Sequence, residues 1–215
     1  MADFDVVVCG LGAMGSAALY QLASRGKRVL GIERRSPGHD RGSSHGSTRI
    51  IRLAYFEHPS YVPLLRRAYT AWRMLERASG RSLLDVTGIL EIGSPEGALV
   101  RGTLASAQLH RLNHDVLSAS ELMRRFPDFR LPADYVGVFQ PDGGWLALED
   151  AFEAWISLAT AAGAKVRTGD IVRSIEQLGG GIRVSTTSLR WGLTDFKSQI
   201  AFSMLSAFRA ASRLG

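Results

Sequence analysis

Phe4-Asp5-Val6-Val7-Val8-Cys9-Gly10-Leu11-Gly12-Ala13-Met14-Gly15 is the stretch that decides the fold. Its first half is a short, β-branched, mostly uncharged run, the composition of a strand buried in a parallel sheet. The second half is a Gly-x-Gly-x-x-Gly turn, and residues 16–25 follow with Ala, Leu and Gln at helical spacing until Gly26 stops them. Residues 29–32 form a second apolar strand that ends on Glu33. A glycine triplet occurs by chance in loops, but between a strand and a helix each glycine has a physical task. Gly10 permits the tight turn, Gly12 lets the backbone approach a diphosphate, and Gly15 lets helix and strand pack closely. The helix N-terminus then holds the anion with its N–H groups and its dipole. Glu33, 18 residues past Gly15, stands where a carboxylate accepts hydrogen bonds from ribose hydroxyls and disfavours a 2′-phosphate. Arg34, directly after it, is counted with the cofactor-binding candidates. This βαβ frame leaves NAD and FAD both open.

Beyond the frame, residues 34–52 are expected to be loop, rich in Gly, Ser, Arg and His. An amphipathic helix is expected over 60–79, with Val62, Leu65, Tyr69, Trp72 and Leu75 on one side and Gly80 at its end. Strands are expected at 83–86 and 89–92 around the Thr87-Gly88 turn, and helices at 97–111 and 120–125. A strand at 135–140 precedes the Pro141-Asp142-Gly143-Gly144 turn, and a helix at 148–162 closes on Gly163. Strands at 165–167, 171–176 and 182–185 complete the pattern. The alternation is too irregular for one uninterrupted βαβ series, so a second, inserted domain is expected. The expected division is 1–55 and 146–185 for the nucleotide-binding domain, 56–145 for the insert and 186–215 for a divergent tail.

The 215 residues are 46% hydrophobic and 21% charged, ordinary for a soluble globular protein. No apolar run reaches the roughly 18 residues of a membrane span, and no basic stretch precedes an apolar one at the N-terminus. A single cysteine, Cys9, excludes an intrachain disulfide and suits a reducing, cytoplasmic compartment. The formal charge of +6 is spread over scattered arginines without a zinc-finger spacing or an RNP-type aromatic motif, so no nucleic-acid partner is expected. His39, His58, His110 and His114 show no ligand spacing with Cys or acids, and no metal is assigned.

Gly42-Ser43-Ser44-His45-Gly46-Ser47-Thr48-Arg49-Ile50-Ile51-Arg52 resembles the signature that follows the dinucleotide motif in the monomeric sarcosine oxidase and N-methyltryptophan oxidase family. Tyr61-Val62-Pro63-Leu64, Thr87-Gly88-Ile89-Leu90, Gln140-Pro141-Asp142-Gly143-Gly144 and Gly163-Ala164-Lys165-Val166 support the likeness, which covers roughly residues 3–185. The resemblance implies an α/β flavoprotein: a Rossmann-like, glutathione-reductase-like FAD-binding domain with an inserted α+β substrate domain. It implies FAD contacts at Ser44, His45, Thr48 and Arg49, with Val172 meeting the adenine through its backbone. It makes Arg52 the partner of the substrate carboxylate, with His45 and Arg49 tuning the flavin. A guanidinium grips a carboxylate bidentately, and a cation near the isoalloxazine favours the anionic reduced flavin. The implied reaction oxidises a secondary amine of a small N-methyl amino acid to an imine and reduces O2 to hydrogen peroxide, in a monomeric enzyme.

Members of that family are longer, and their flavin-anchoring cysteine and oxygen-activating lysine lie in a C-terminal half with no counterpart in this sequence. The C-terminal half is therefore expected to be incomplete, and Cys9 is no candidate for a covalent anchor. The apolar strand and small-residue turn that follow position 184 in the family are expected to be missing. Phe196, Ile200, Met204, Ala207, Phe208 and Ala211 fit an amphipathic helix, or else an unordered, out-of-frame tail. Two other readings stay open: a nucleotide-binding remnant without turnover, and an NAD-dependent dehydrogenase, against which residues 42–52 count.

Overall fold

In chain order, β1 (Val6–Cys9), α1 (Ala13–Ala23) and β2 (Val29–Glu33) form the first βαβ hand of the computed structural model, which describes residues 4–179, 181–188, 190–194 and 199–202. Then come β3 (Thr48–Ile51), α2 (Tyr61–Ser79), β4 (Leu84–Asp85), β5 (Ile89–Gly93) and α3 (Ala98–His110). They are followed by β6 (Asp115–Ser118), α4 (Ala119–Arg125), β7 (Val136–Gln140) and β8 (Gly144–Ala147). The chain ends its described course with α5 (Leu148–Ala161), β9 (Lys165–Thr168), β10 (Val172–Leu178), β11 (Gly181–Thr186), β12 (Arg190–Thr194) and β13 (Gln199–Phe202). Two compact units result: Met1–Ser47 with Leu148–Gly215, and Thr48–Ala147.

The first unit is built on a parallel sheet in the order β13-β1-β2-β9. Because successive side chains of a strand point to opposite faces, β1 serves two cores. Val6 and Val8 pack with Leu11, Leu19, Ala23, Val29, Ala159 and Ala164, a cluster to which α1 and α5 contribute. Val7 and Cys9 pack with Leu30, Ile32 and Val184, beneath the antiparallel sheet β10-β11-β12. Val7, Val8, Leu19 and Val29 are fully buried, and each contributes about 1.5–3 kcal/mol on removal from water. The Cys9 thiol is pushed up to about 11 by burial, as befits a small core residue. Leu148 N donates to Ser47 O at 2.8 Å, closing the point where the chain leaves this unit and returns to it.

The second unit holds two antiparallel sheets, β3-β8-β4 and β5-β7-β6. Ile51, Leu84 and Leu146 form a core against which Tyr69 and Trp72 of α2 pack, and Val62 and Leu75 of the same helix are buried. Gly80 ends α2 in the left-handed conformation. Ser118 and Glu121 form a reciprocal capping box at the start of α4.

Several elements differ from their expectation. Thr48–Ile51 is a strand, not loop, because it pairs along its whole length with Gly144–Ala147. The units therefore divide after residues 47 and 147, where the sequence suggested 55 and 145. Asp115–Ser118 pairs with β7, a contact from a four-residue strand that local pattern does not announce. Gln199–Phe202 lies parallel beside β1, with Val6 opposite Gln199 and Cys9 opposite Phe202. Ile200 therefore belongs to a strand and not to a helix. Phe196, Met204, Ala207, Phe208 and Ala211 lie outside the described residues.

Candidate functional site

β1 delivers the chain to Gly10, whose φ is +90°, a region that costs other residues about 1–3 kcal/mol. Gly10 N donates to Ile32 O at 2.8 Å and ties the turn to β2. A Cβ on Gly15 would lie 1.8 Å from Gly10 O, and no rotamer relieves a clash with backbone. On Gly12 a Cβ would meet only Ser44 Oγ, at 3.5 Å. Gly15 is therefore demanded by the packing of the turn, whereas Gly12 leaves the start of α1 approachable from outside. Ser44 Oγ accepts Ala13 N at 3.2 Å, so its own O–H can turn toward an anion.

Glu33 is buried at the end of β2. Oε2 accepts Leu11 N at 2.8 Å and Oε1 accepts Arg35 N at 3.0 Å, so one side chain ties the glycine turn to the segment after β2. Each oxygen keeps a further lone pair for a hydroxyl donor. His39 Nε2 stands 3.5 Å from Oε1, and its Nδ1 accepts Arg41 N at 3.0 Å, which places the proton of the neutral ring on Nε2.

A cavity of about 540 Å³ opens over the turn, within the range of small-molecule and cofactor sites. Gly10, Gly12, Glu33, Arg34, Ser44 and Val172 line it, bringing together six of the expected cofactor-binding residues. Gly15 lies behind them, against Gly10. Sequence reasoning missed Arg35, His39, Arg41, Phe152 and Asp170, which also line it. Asp170 is buried and accepts Thr187 Oγ1 at 2.7 Å, Thr186 Oγ1 at 2.9 Å and Ser188 N at 3.2 Å. Burial pushes its carboxyl up, but these hydrogen bonds outweigh burial and hold it below the ordinary carboxylate range. Its own N donates to Glu33 O at 3.2 Å, so the segment bearing Val172 is fixed beside the carboxylate end of β2. An Asp-Ile-Val run at the start of a strand was the available signal, but only pairing with β11 makes it one.

His45 belongs to the same unit but does not line this cavity; it is exposed, with Nδ1 2.7 Å from Gly42 O. Thr48, Arg49 and Arg52 belong to the second unit. Arg49 donates to Thr48 O at 2.6 Å. Arg52 is largely buried, its guanidinium 4.5 Å from the Tyr55 ring centre and 5.9 Å from that of Phe56. Its Nε stands 3.0 Å from Glu91 Oε1, and Nη2 is 4.0 Å from Glu57 Oε2. Glu91, buried on β5, also accepts Thr103 Oγ1 at 2.9 Å and Gln140 Nε2 at 2.7 Å. Burial pushes the Glu91 carboxyl above its ordinary value, more than Thr103, Arg52 and Gln140 lower it. No periodicity or motif marks Glu91 in the sequence.

Among the described residues no helix is long and apolar enough to cross a membrane. The glycine cradle, the Ser44 hydroxyl, the carboxylate of Glu33 and the enclosed volume fit the adenosine diphosphate part of a dinucleotide. The chain is 42% identical over 183 residues to the monomeric sarcosine oxidase of Streptomyces avermitilis, covering 85% of this chain and 48% of that protein. It is 35% identical over 184 residues to the N-methyl-L-tryptophan oxidase of Salmonella dublin, covering 86% of this chain and 50% of that one. The chain thus spans about half the length of the curated relatives it matches. The open form of NikD, an unusual amino acid oxidase essential for nikkomycin biosynthesis, superposes with a TM-score of 0.82 at 32% identity, over 94% of this chain and 51% of NikD. The family model described as FAD dependent oxidoreductase matches residues 5–195, ten past the expected limit of likeness at 185, and to that FAD-dependent family this chain belongs.

Proposed function

We propose that the chain forms the cofactor-holding and carboxylate-recognising part of a flavoenzyme that oxidises the secondary amine of a small N-methyl amino acid. Its similarity to oxidases of sarcosine and N-methyl-L-tryptophan supports that substrate class. The observation that carries it is the cluster of Gly10, Gly12, Glu33 and Ser44 around one cavity, in a chain of an FAD-dependent family. When bound, FAD would supply the two-electron oxidation of the N-methyl amine, with O2 as the final electron acceptor giving hydrogen peroxide.

The residues of the chain bind and orient. We assign the diphosphate to the backbone of Gly10, Gly12 and Gly15 with the Ser44 hydroxyl, the ribose to Glu33 and Arg34, and the adenine to the backbone of Val172. Arg52 takes the substrate carboxylate, because a largely buried guanidinium with aromatic neighbours binds such an anion more strongly than a solvated lysine would. His45, Thr48 and Arg49 are assigned to the flavin. In this scheme Met1–Ser47 with Leu148–Gly215 is the cofactor domain and Thr48–Ala147 the substrate domain, in a cytoplasmic monomer. The purified chain should carry a yellow flavin absorbance and release peroxide with sarcosine or N-methyltryptophan. Flavin retention without peroxide would mark a nucleotide-binding chain lacking turnover, and failure to bind FAD or ADP would remove the proposal altogether.

A further inference from the structure

Arg52, given above to the substrate carboxylate, already has an anion of its own inside the protein. Glu91 Oε1 lies 3.0 Å from Arg52 Nε, yet the buried Nε–H makes no well-aligned hydrogen bond, so the contact is chiefly Coulombic. Glu91 does not depend on Arg52 for its position. Its Oε2 is held by Thr103 Oγ1 and Gln140 Nε2, and Gln140 Oε1 is itself anchored by Ala54 N at 2.9 Å. Glu57 is half-exposed and farther away, at 4.0 Å, so Glu91 is the main counter-charge.

We propose that Glu91 is a specificity-determining residue: an internal counter-ion that shares Arg52 with an incoming carboxylate and so lowers the site's preference for carboxylate-bearing amines over uncharged ones. This rests on the assignment of Arg52 to the substrate carboxylate. With Glu91 in place the guanidinium is largely neutralised, and a second carboxylate meets the repulsion of the first. Without it, a buried guanidinium is left uncompensated, and an arriving carboxylate supplies the missing charge. Both effects have the same sign: removing the Glu91 charge tightens binding of acids and leaves neutral ligands almost untouched.

Calorimetric affinities for methoxyacetate and methoxyacetamide, isosteres of N-methylglycine and its amide with no amine to oxidise, measured on the FAD-loaded 215-residue chain, test this. The acid-to-amide affinity ratio should rise about tenfold or more in Glu91→Gln, which keeps an acceptor for Thr103 but removes the charge. Glu91→Asp, which retains the charge but withdraws it by a methylene, should raise the ratio by less. An unchanged or lower ratio in Glu91→Gln overturns the proposal, and if that variant does not fold, an unchanged or lower ratio in Glu91→Asp does so. Arg52→Ala examines the underlying assignment: a ratio equal to that of the wild type overturns both. A ratio that collapses in Arg52→Ala while Glu91→Gln leaves it unchanged overturns the role of Glu91 alone.

Discussion

Gly12 and Gly15 belong to one motif but meet different surroundings, and the difference is measurable. The 1.8 Å approach of a Cβ on Gly15 to Gly10 O leaves no room for alanine without moving β1 or α1. Gly15→Ala should lower the midpoint of thermal unfolding and weaken ADP binding by about a hundredfold or more, a loss of ~2.7 kcal/mol. Gly12→Ala adds a methyl at ordinary contact distance from Ser44 Oγ. It should fold as the wild type does and lose about tenfold in ADP affinity, because only a diphosphate drawn close to that backbone would feel the methyl. Wild-type affinity in Gly12→Ala would show that the nucleotide does not approach there. Glu33→Gln presents a second residue-scale test. Leu11 N and Arg35 N bond to different oxygens of Glu33, and glutamine keeps an oxygen on one side only, so its NH2 faces one of these donors and leaves it orphaned, at about 1–3 kcal/mol. A denaturant midpoint unchanged from the wild type would contradict the tie described here. The motif glycines and Glu33 were legible in sequence because their spacing encodes backbone geometry. Glu91 was not, because a buried carboxylate on a short strand is defined by partners 12 and 49 residues away.

Among the elements, the β10–β11 hairpin offers the clearest electrostatic test. Asp170 at its entrance binds both hydroxyls of Thr186 and Thr187, and its carboxyl is held below the ordinary range. A depressed folded-state pKa contributes stability that is present above the unfolded value of about 3.9 and is lost as pH falls through the folded value. Asp170→Asn should therefore lower the unfolding midpoint at pH 7 by roughly 2–4 °C per kcal/mol lost. The gap to the wild type should narrow as pH falls through the depressed folded-state value, where the native carboxyl itself becomes neutral. A gap that does not change with pH would mean that shape, not charge, holds the hairpin. The long amphipathic helices were readable from their apolar stripes, and α2 ends at Gly80 as its sequence indicates. β3, β6 and β8 were not, since strands of four residues carry too little alternation to announce themselves. Their partners decide them: β3 exists because Gly144–Ala147 lies alongside it.

At the scale of the whole chain, the family signature of residues 42–52 runs straight across the division after Ser47. Sequence treats the signature as one functional segment, whereas packing assigns its first six residues to the parallel-sheet unit and its last five to the antiparallel one. The division of the compact units falls inside the motif, at the point where β3 pairs with β8. Nucleotide binding should respect the packing and not the motif. A ligand that binds only the native state stabilises it by about 2.7 kcal/mol at a hundred times its dissociation constant, and the gain appears where contacts form. Addition of ADP should therefore slow amide hydrogen exchange at residues 10–16, 33–44 and 170–172, which form or adjoin the cavity. The amides of Thr48–Ala147 should exchange at their unliganded rates, including those of Glu91, Thr103 and Gln140 around Arg52. Protection of that network by ADP alone would show that the nucleotide is sensed in the second unit. Absence of protection at residues 10–16 would place the nucleotide elsewhere in the molecule.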